Sequence, residues 1–228
     1  MIRVKICGLT TAEMVETAIR LGADRVGFVV VPTSPRAVSL EDAGRFSRLA
    51  HSLGAEPWIV AGLGSEGGQA GGEAVENLLR LVEQYPEIGA IQLHGREAPE
   101  PFRDFRDRLA GTGTATRLVK AHGVADAGDL ATLADFDGAD VYLLDAKPPK
   151  GADREGGFGE AFDWAILQGF DPGKPWVLSG GLTAGNVAGA IAISGASAVD
   201  VSSGVESAPG VKDEAKVRAF IEAARGAG

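Results

Sequence analysis

Residues 2–31 read IRVKICGLTTAEMVETAIRLGADRVGFVVV, and this stretch sets the architecture. Ile2–Ile6 interleaves apolar and charged residues as a strand does. Met14, Val15, Ala18, Ile19 and Gly22 then recur at helical spacing, behind Thr10-x-x-Glu13, a pattern in which a side-chain oxygen satisfies free backbone donors at a helix start. Arg25–Val31 follows as a second, β-branched strand. The same unit repeats along the chain. Further strands are expected at Trp58–Ala61, Ile88–Leu93, Thr116–Lys120, Asp140–Leu144, Trp176–Leu178 and Ala198–Val201. A second helix is read from Leu40, Ala43, Phe46, Leu49 and Leu53 behind Ser39-x-x-Asp42, and a last one over Lys212–Arg225. Alternating strands and helices imply parallel pairing, because parallel strands need crossover connections.

Eight such units in 228 residues fit one closed (β/α)8 TIM barrel, commonly ~250 residues long, better than an open doubly wound sheet or two small domains. The expected domain therefore spans residues 1–228. Its one low-complexity run, at about 62–72, follows the third strand and is expected to be a loop at the barrel mouth. Apolar residues at 45% supply a single sizeable core. A formal charge of -9 argues against nucleic-acid or anionic-membrane partners, which call for a basic face. It leaves room for a small phosphorylated ligand, since backbone N–H groups at helix starts bind phosphate without net positive charge. The single cysteine, Cys7, fits a reducing compartment. The charged N-terminal strand is no signal peptide, and no run approaches the ~20 apolar residues of a membrane helix. A cytoplasmic location is expected.

Alternation along strands places Arg3, Lys5 and Cys7 on one face and Ile2, Val4 and Ile6 on the other. Asp200 and Ser202 share a face in the eighth strand, as do Gln92 and His94 in the fourth. In a closed barrel the eighth strand adjoins the first, so a Lys5–Asp200 ion pair inside the barrel is expected. An interior charge needs such a partner. A polar interior beneath the strand C-termini marks the end of the barrel that carries chemistry. No metal-ligand cluster and no dinucleotide fingerprint is visible.

Lys5-Ile6-Cys7-Gly8-Leu9-Thr10 resembles the opening motif of the phosphoribosylanthranilate isomerases, a family of tryptophan biosynthesis. The resemblance continues through Gly22-Ala23-Asp24, Val26–Val29, Pro32–Ser39, Gln92–Gly95, Leu143–Lys147, Gly156–Gly159, Phe162–Trp164, Leu178–Leu182, Asn186-Val187 and Val199–Glu206. Two places depart from the family pattern. After strand three an aromatic residue and an Asn are usual, but here the chain reads Val60-Ala61-Gly62-Leu63-Gly64. The loop after strand six carries Phe158 and Glu160, where smaller or less acidic residues are usual.

The resemblance implies that N-(5-phosphoribosyl)anthranilate is converted, without cofactor or metal, to 1-(2-carboxyphenylamino)-1-deoxyribulose 5-phosphate. Asp145 is the implied acid at the ring oxygen and Cys7 the implied base at C2. Arg36 is expected to clamp the anthranilate carboxylate, a match for the guanidinium fork. Gln92, His94 and Asp200 are expected around the substrate. Gly180, Gly181, Ser203 and Gly204, at the ends of strands seven and eight, are expected to hold phosphate. The rivals are another phosphosugar isomerase or epimerase on this barrel, and a phosphosugar-binding barrel without turnover. Barrels of this kind occur as monomers and homodimers, and the sequence selects neither.

Overall fold

The computed structural model describes residues 1–64, 71–147 and 162–227. Eight strands close into a parallel barrel in chain order: β1 (Arg3–Cys7), β2 (Arg25–Val29), β3 (Glu56–Ala61), β4 (Ala90–Leu93), β5 (Arg117–Val124), β6 (Val141–Ala146), β7 (Trp176–Leu178) and β8 (Ala198–Val201). The seam is β8 against β1, with Lys5 opposite Asp200. Around it lie α1 (Ala12–Arg20), α2 (Leu40–Ser52), α3 (Gly72–Gln84), α4 (Pro99–Gly111), α5 (Ala127–Ala131), α6 (Val187–Ser194) and α7 (Glu214–Arg225). Among the described residues, the β6–β7 connection contains only a 3-10 turn, Trp164–Leu167.

Several boundaries differ from the sequence reading. The cap of α1 is Thr11, not Thr10. The chain turns at Gly8 with φ 76°, and it is Thr11 that is extended and accepts from the Met14 N–H. Ser39 caps α2 as expected, accepting from Asp42 N–H at 3.0 Å. Strand β2 stops at Val29, which bridges to Ala37 while the chain turns through Pro32 and Pro35. Strand β5 runs on to Val124 because its end pairs with the tip of β6. The last helix begins at Glu214, not Lys212. Val211–Lys212 (β10) instead pairs antiparallel with Glu206–Ala208 (β9), a small hairpin between β8 and α7.

Of the glycine-rich run, residues 65–70 lie outside the described residues. Its ends are tied where Gly71 N–H donates to Leu63 O at 2.7 Å, and Gly71 precedes α3. The expected loop thus leaves from the C-terminal end of β3, on the same side of the barrel as Cys7. The stretch Gly156–Gly159, with Phe158 and Glu160, also lies outside the described residues.

Alternation along the strands separates two cores. Val4, Ile6, Ile91, Leu93, Val199 and Val201 face the helices. Trp58, Ala90, Val119, Ala121, Val141, Leu143, Val177 and Ala198 fill the barrel from within. Above this dry plug the inward positions turn polar, with buried Lys5, Gln92 and Asp200. Arg3, one inward step below Lys5, reaches solvent at the opposite end. Helix packing is tight where α2 meets α3. A Cβ at Gly44 would overlap the Tyr85 ring. We therefore expect Gly44→Val to destabilise the fold by about 1–3 kcal/mol through overpacking, read as a lower urea midpoint with an unchanged slope.

Candidate active site

Cys7 is the chain's only thiol and lies buried at the tip of β1. It touches Val29 and Val60, with Val31 packed alongside. Gly27, its register partner on β2, leaves room for it. A Cβ at Gly27 would fall 2.8 Å from Cys7 Sγ and 3.1 Å from Lys5 Nζ. Burial pushes the thiol above its usual pKa, the Lys5 ammonium pulls it down, the Asp200 carboxylate pushes it up, and Lys212 pulls it down.

Lys5 donates to Asp200 Oδ1 at 2.8 Å and to Gln92 Oε1 at 3.1 Å. Burial disfavours its charge, yet the Asp200 carboxylate and the Cys7 sulfur together hold the ammonium above its ordinary value. Asp200 also accepts from Ser179 Oγ at 3.3 Å. The far end of the Gln92 amide, Nε2, lies 3.0 Å from His94 Nδ1. His94 Nε2 lies 3.2 Å from Asp145 Oδ2. Burial works against charge on His94, and the hydrogen bond and charge of Asp145 overcome it, raising the imidazole pKa. The second Asp145 oxygen accepts from Ala146 N–H at 2.8 Å. Two hydrogen bonds and the His94–Asp145 ion-pair contact thus form one polar line across the barrel mouth from the cation beside Cys7 to Asp145.

The expected residues therefore converge, but Gln92 and Asp200 lie beneath the surface of the site with their polar atoms engaged by other side chains. Arg36 reaches the tip of β1 along Gly8, where a Cβ would come 2.5 Å from Arg36 Cδ. Its guanidinium is already paired: Nε donates to Glu206 Oε1 at 2.7 Å and Nη2 to Oε2 at 2.8 Å. Lys212 Nζ donates to Glu206 Oε1 at 2.7 Å and to Ser202 O at 3.1 Å. Ser202 Oγ in turn donates to Cys7 O at 3.1 Å. Burial would raise the Glu206 carboxyl, and its two cations hold it below the usual range instead. The roles of Glu206 and Lys212 escape the sequence reading. The signal is Pro209-Gly210, a turn dipeptide that splits this segment into a hairpin, whose tip packs on Pro35.

Gly180 and Gly181 follow β7 with φ 85° and 62°. A Cβ at Gly180 would collide with Ala146 N and lie 2.9 Å from Asp145 Oδ1, so bareness here seats the tip of β6. Ser203 and Gly204 open a 3-10 turn after β8. Among the described residues, the N–H groups of Gly180, Gly181, Ser203 and Gly204 donate to no hydrogen bond.

A parallel barrel whose polar residues gather at the C-terminal ends of its strands is an enzyme scaffold of the (β/α)8 class. The family model described as N-(5'phosphoribosyl)anthranilate (PRA) isomerase matches residues 4–223, and the chain belongs to that family. It is 42% identical over 225 residues to N-(5'-phosphoribosyl)anthranilate isomerase of Rhodopseudomonas palustris (strain ATCC BAA-98 / CGA009), covering 98% of each chain. The crystal structure of phosphoribosyl anthranilate isomerase from Thermotoga maritima superposes with a TM-score of 0.80 at 36% identity, covering 99% of this chain and 100% of that one. A structure of the isomerase in complex with reduced 1-(o-carboxyphenylamino)-1-deoxyribulose 5-phosphate gives 0.77 at 34% identity, again over 99% and 100%.

Because Cys7 is the sole thiol, alkylation reports it alone. Its raised pKa keeps the thiol form at neutral pH, and the thiolate is the nucleophile. Modification by iodoacetamide should therefore be slow at pH 7 and accelerate steadily through the alkaline range. Lys212→Met, which removes one of the cations favouring the thiolate, should slow it further at every pH below the new midpoint.

Proposed function

We propose that this site carries out the Amadori rearrangement of N-(5'-phosphoribosyl)anthranilate with Cys7 as base and Asp145 as acid. The observation that carries the reading is the polar line from Lys5, beside Cys7, through Gln92 and His94 to Asp145 across one barrel mouth. Asp145 gives a proton to the furanose ring oxygen. The C1–O bond breaks as the anthranilate nitrogen lone pair forms the C=N bond. Cys7, a thiol in the resting protein, first gives its proton to solvent beside the Lys5 ammonium; as thiolate it then takes the C2 proton, and the electrons of that C–H bond move toward the iminium, giving the enolamine. Transfer of the O2 proton to C1 completes the aminoketose. Cys7 ends as the thiol it began as, and solvent returns the proton that Asp145 has lost.

One Asp145 oxygen accepts from Ala146 N–H and the other faces His94 Nε2, and the acid step uses the carboxyl in its protonated form. Glu206 occupies the Nε–Nη2 edge of Arg36. The Nη1 corner is left to meet the anthranilate carboxylate. Val29, Val31 and Val60 give the aromatic ring an apolar wall. The unengaged N–H groups after β7 and β8 receive the phosphate, the recurrent position in such barrels.

No helix among the described residues is long and apolar enough to cross a membrane. The single free cysteine supports placement in the cytoplasm. Purified protein should consume phosphoribosylanthranilate with no added cofactor, followed by loss of anthranilate fluorescence. Cys7→Ala and Asp145→Asn should each lower kcat by roughly 10²–10⁴, while inorganic phosphate still protects the fold against heat. Wild-type turnover in both variants would overturn the roles assigned to them.

A further inference from the structure

Lys5 can only donate hydrogen bonds, so the Gln92 atom 3.1 Å from its ammonium must be the carbonyl oxygen. The amide –NH2 therefore faces His94 Nδ1, at 3.0 Å, and donates to it. Nδ1 is then an acceptor without a proton, and the single imidazole proton of the neutral ring sits on Nε2, facing Asp145. The direction of every bond in the line is fixed from one end by a group with no acceptor. That ammonium is itself anchored by Asp200. We infer that Gln92 is a positioning residue that locks His94 in its Nε2–H form, so that a neutral donor is held on the proposed acid Asp145.

The inference deepens the assignment of Asp145 as acid and rests on it for its catalytic meaning. The charged groups facing His94 are Asp145 from β6, Asp200 from β8 and Lys5 from β1. Asp145 pulls the ring toward imidazolium, and Gln92 opposes it. A proton on Nδ1 would meet the amide hydrogens head-on. Relief requires the amide to turn over, which points its –NH2 at the Lys5 ammonium. The buried amide has no solvent to turn to. Charging His94 thus disrupts the whole line rather than one bond. Above the His94 midpoint the donor facing Asp145 is therefore a neutral ring N–H rather than an imidazolium.

The test uses the free protein, labelled with 15N in histidine and glutamine side chains. Above the His94 titration midpoint, Nδ1 should resonate as an unprotonated imine nitrogen and Nε2 as a protonated one. A scalar coupling through the hydrogen bond should join Gln92 Nε2 to His94 Nδ1 and vanish as the ring is protonated. Gln92→Glu replaces the donor with a carboxylate that accepts from both Lys5 and His94. It should move the His94 midpoint up by roughly 1–3 pH units and lower kcat with KM little changed. A protonated Nδ1 in the unmodified protein above the midpoint, an absent coupling between assigned resonances, or an unmoved midpoint in the variant overturns the lock. These readings need no turnover, so failure of the lock is distinct from failure of Asp145 as acid, which Asp145→Asn decides.

Discussion

The buried ion pair between Lys5 and Asp200 is the constraint on which the upper half of this barrel is organised. Both side chains are almost wholly removed from water, where an isolated charge is costly and a lost partner typically destabilises by about 3–5 kcal/mol. The pair therefore fixes the seam of the barrel chemically as well as through its backbone ladder. A shift of β8 by one residue against β1 would send Asp200 to the helix layer and leave the ammonium bare. Once anchored, Lys5 points its remaining donors at Gln92 and lies beside Cys7, so one cation serves the thiol and orders the line to Asp145.

A second cluster of charge flanks Cys7 from the other side. Arg36, Glu206 and Lys212 come from the β2–α2 loop and the β9–β10 hairpin. Glu206 lies between two cations, so its charge is matched before any ligand arrives. That arrangement holds the Arg36 stem against Gly8 and spares the guanidinium the rotamer freedom it would otherwise lose on binding. The dry plug below, with Trp58 and its small and branched neighbours, keeps water from reaching either cluster from beneath. Below the plug, at the strand starts, a separate charged cluster of Arg25, Glu56 and Arg117 closes the other end of the barrel.

The repeat of strand and helix was legible because period-2 and period-3.6 patterns report local burial, and burial in a closed barrel is regular. The inward face of Lys5, Cys7, Gln92, His94 and Asp200 was legible for the same reason. Connections were less so. The hairpin at Glu206–Lys212 is too short for periodicity, and its lysine reads as a helix start until Asp213 is seen capping Lys216 N–H. Thr10 and Thr11 have the same side chain, and only backbone dihedrals choose between them. The pairing of Arg36 with Glu206 joins residues 170 positions apart, which no local pattern encodes. That Gln92 sits below the site, bonded at both ends, follows from its depth in the barrel rather than from its face.

The partners of the central ion pair stand 195 positions apart, and this separation has a consequence for biosynthesis. On the ribosome the lysine emerges 195 residues ahead of its aspartate. Until then any compaction of the leading strands would trap an ammonium without a counter-ion. Early segments are thereby discouraged from collapsing into a dry partial barrel, and closure waits for the strand that completes the ring. A contact of such long range delays folding by the loop that must first close. Here the delay also guards the nascent chain against sealing its polar centre too soon.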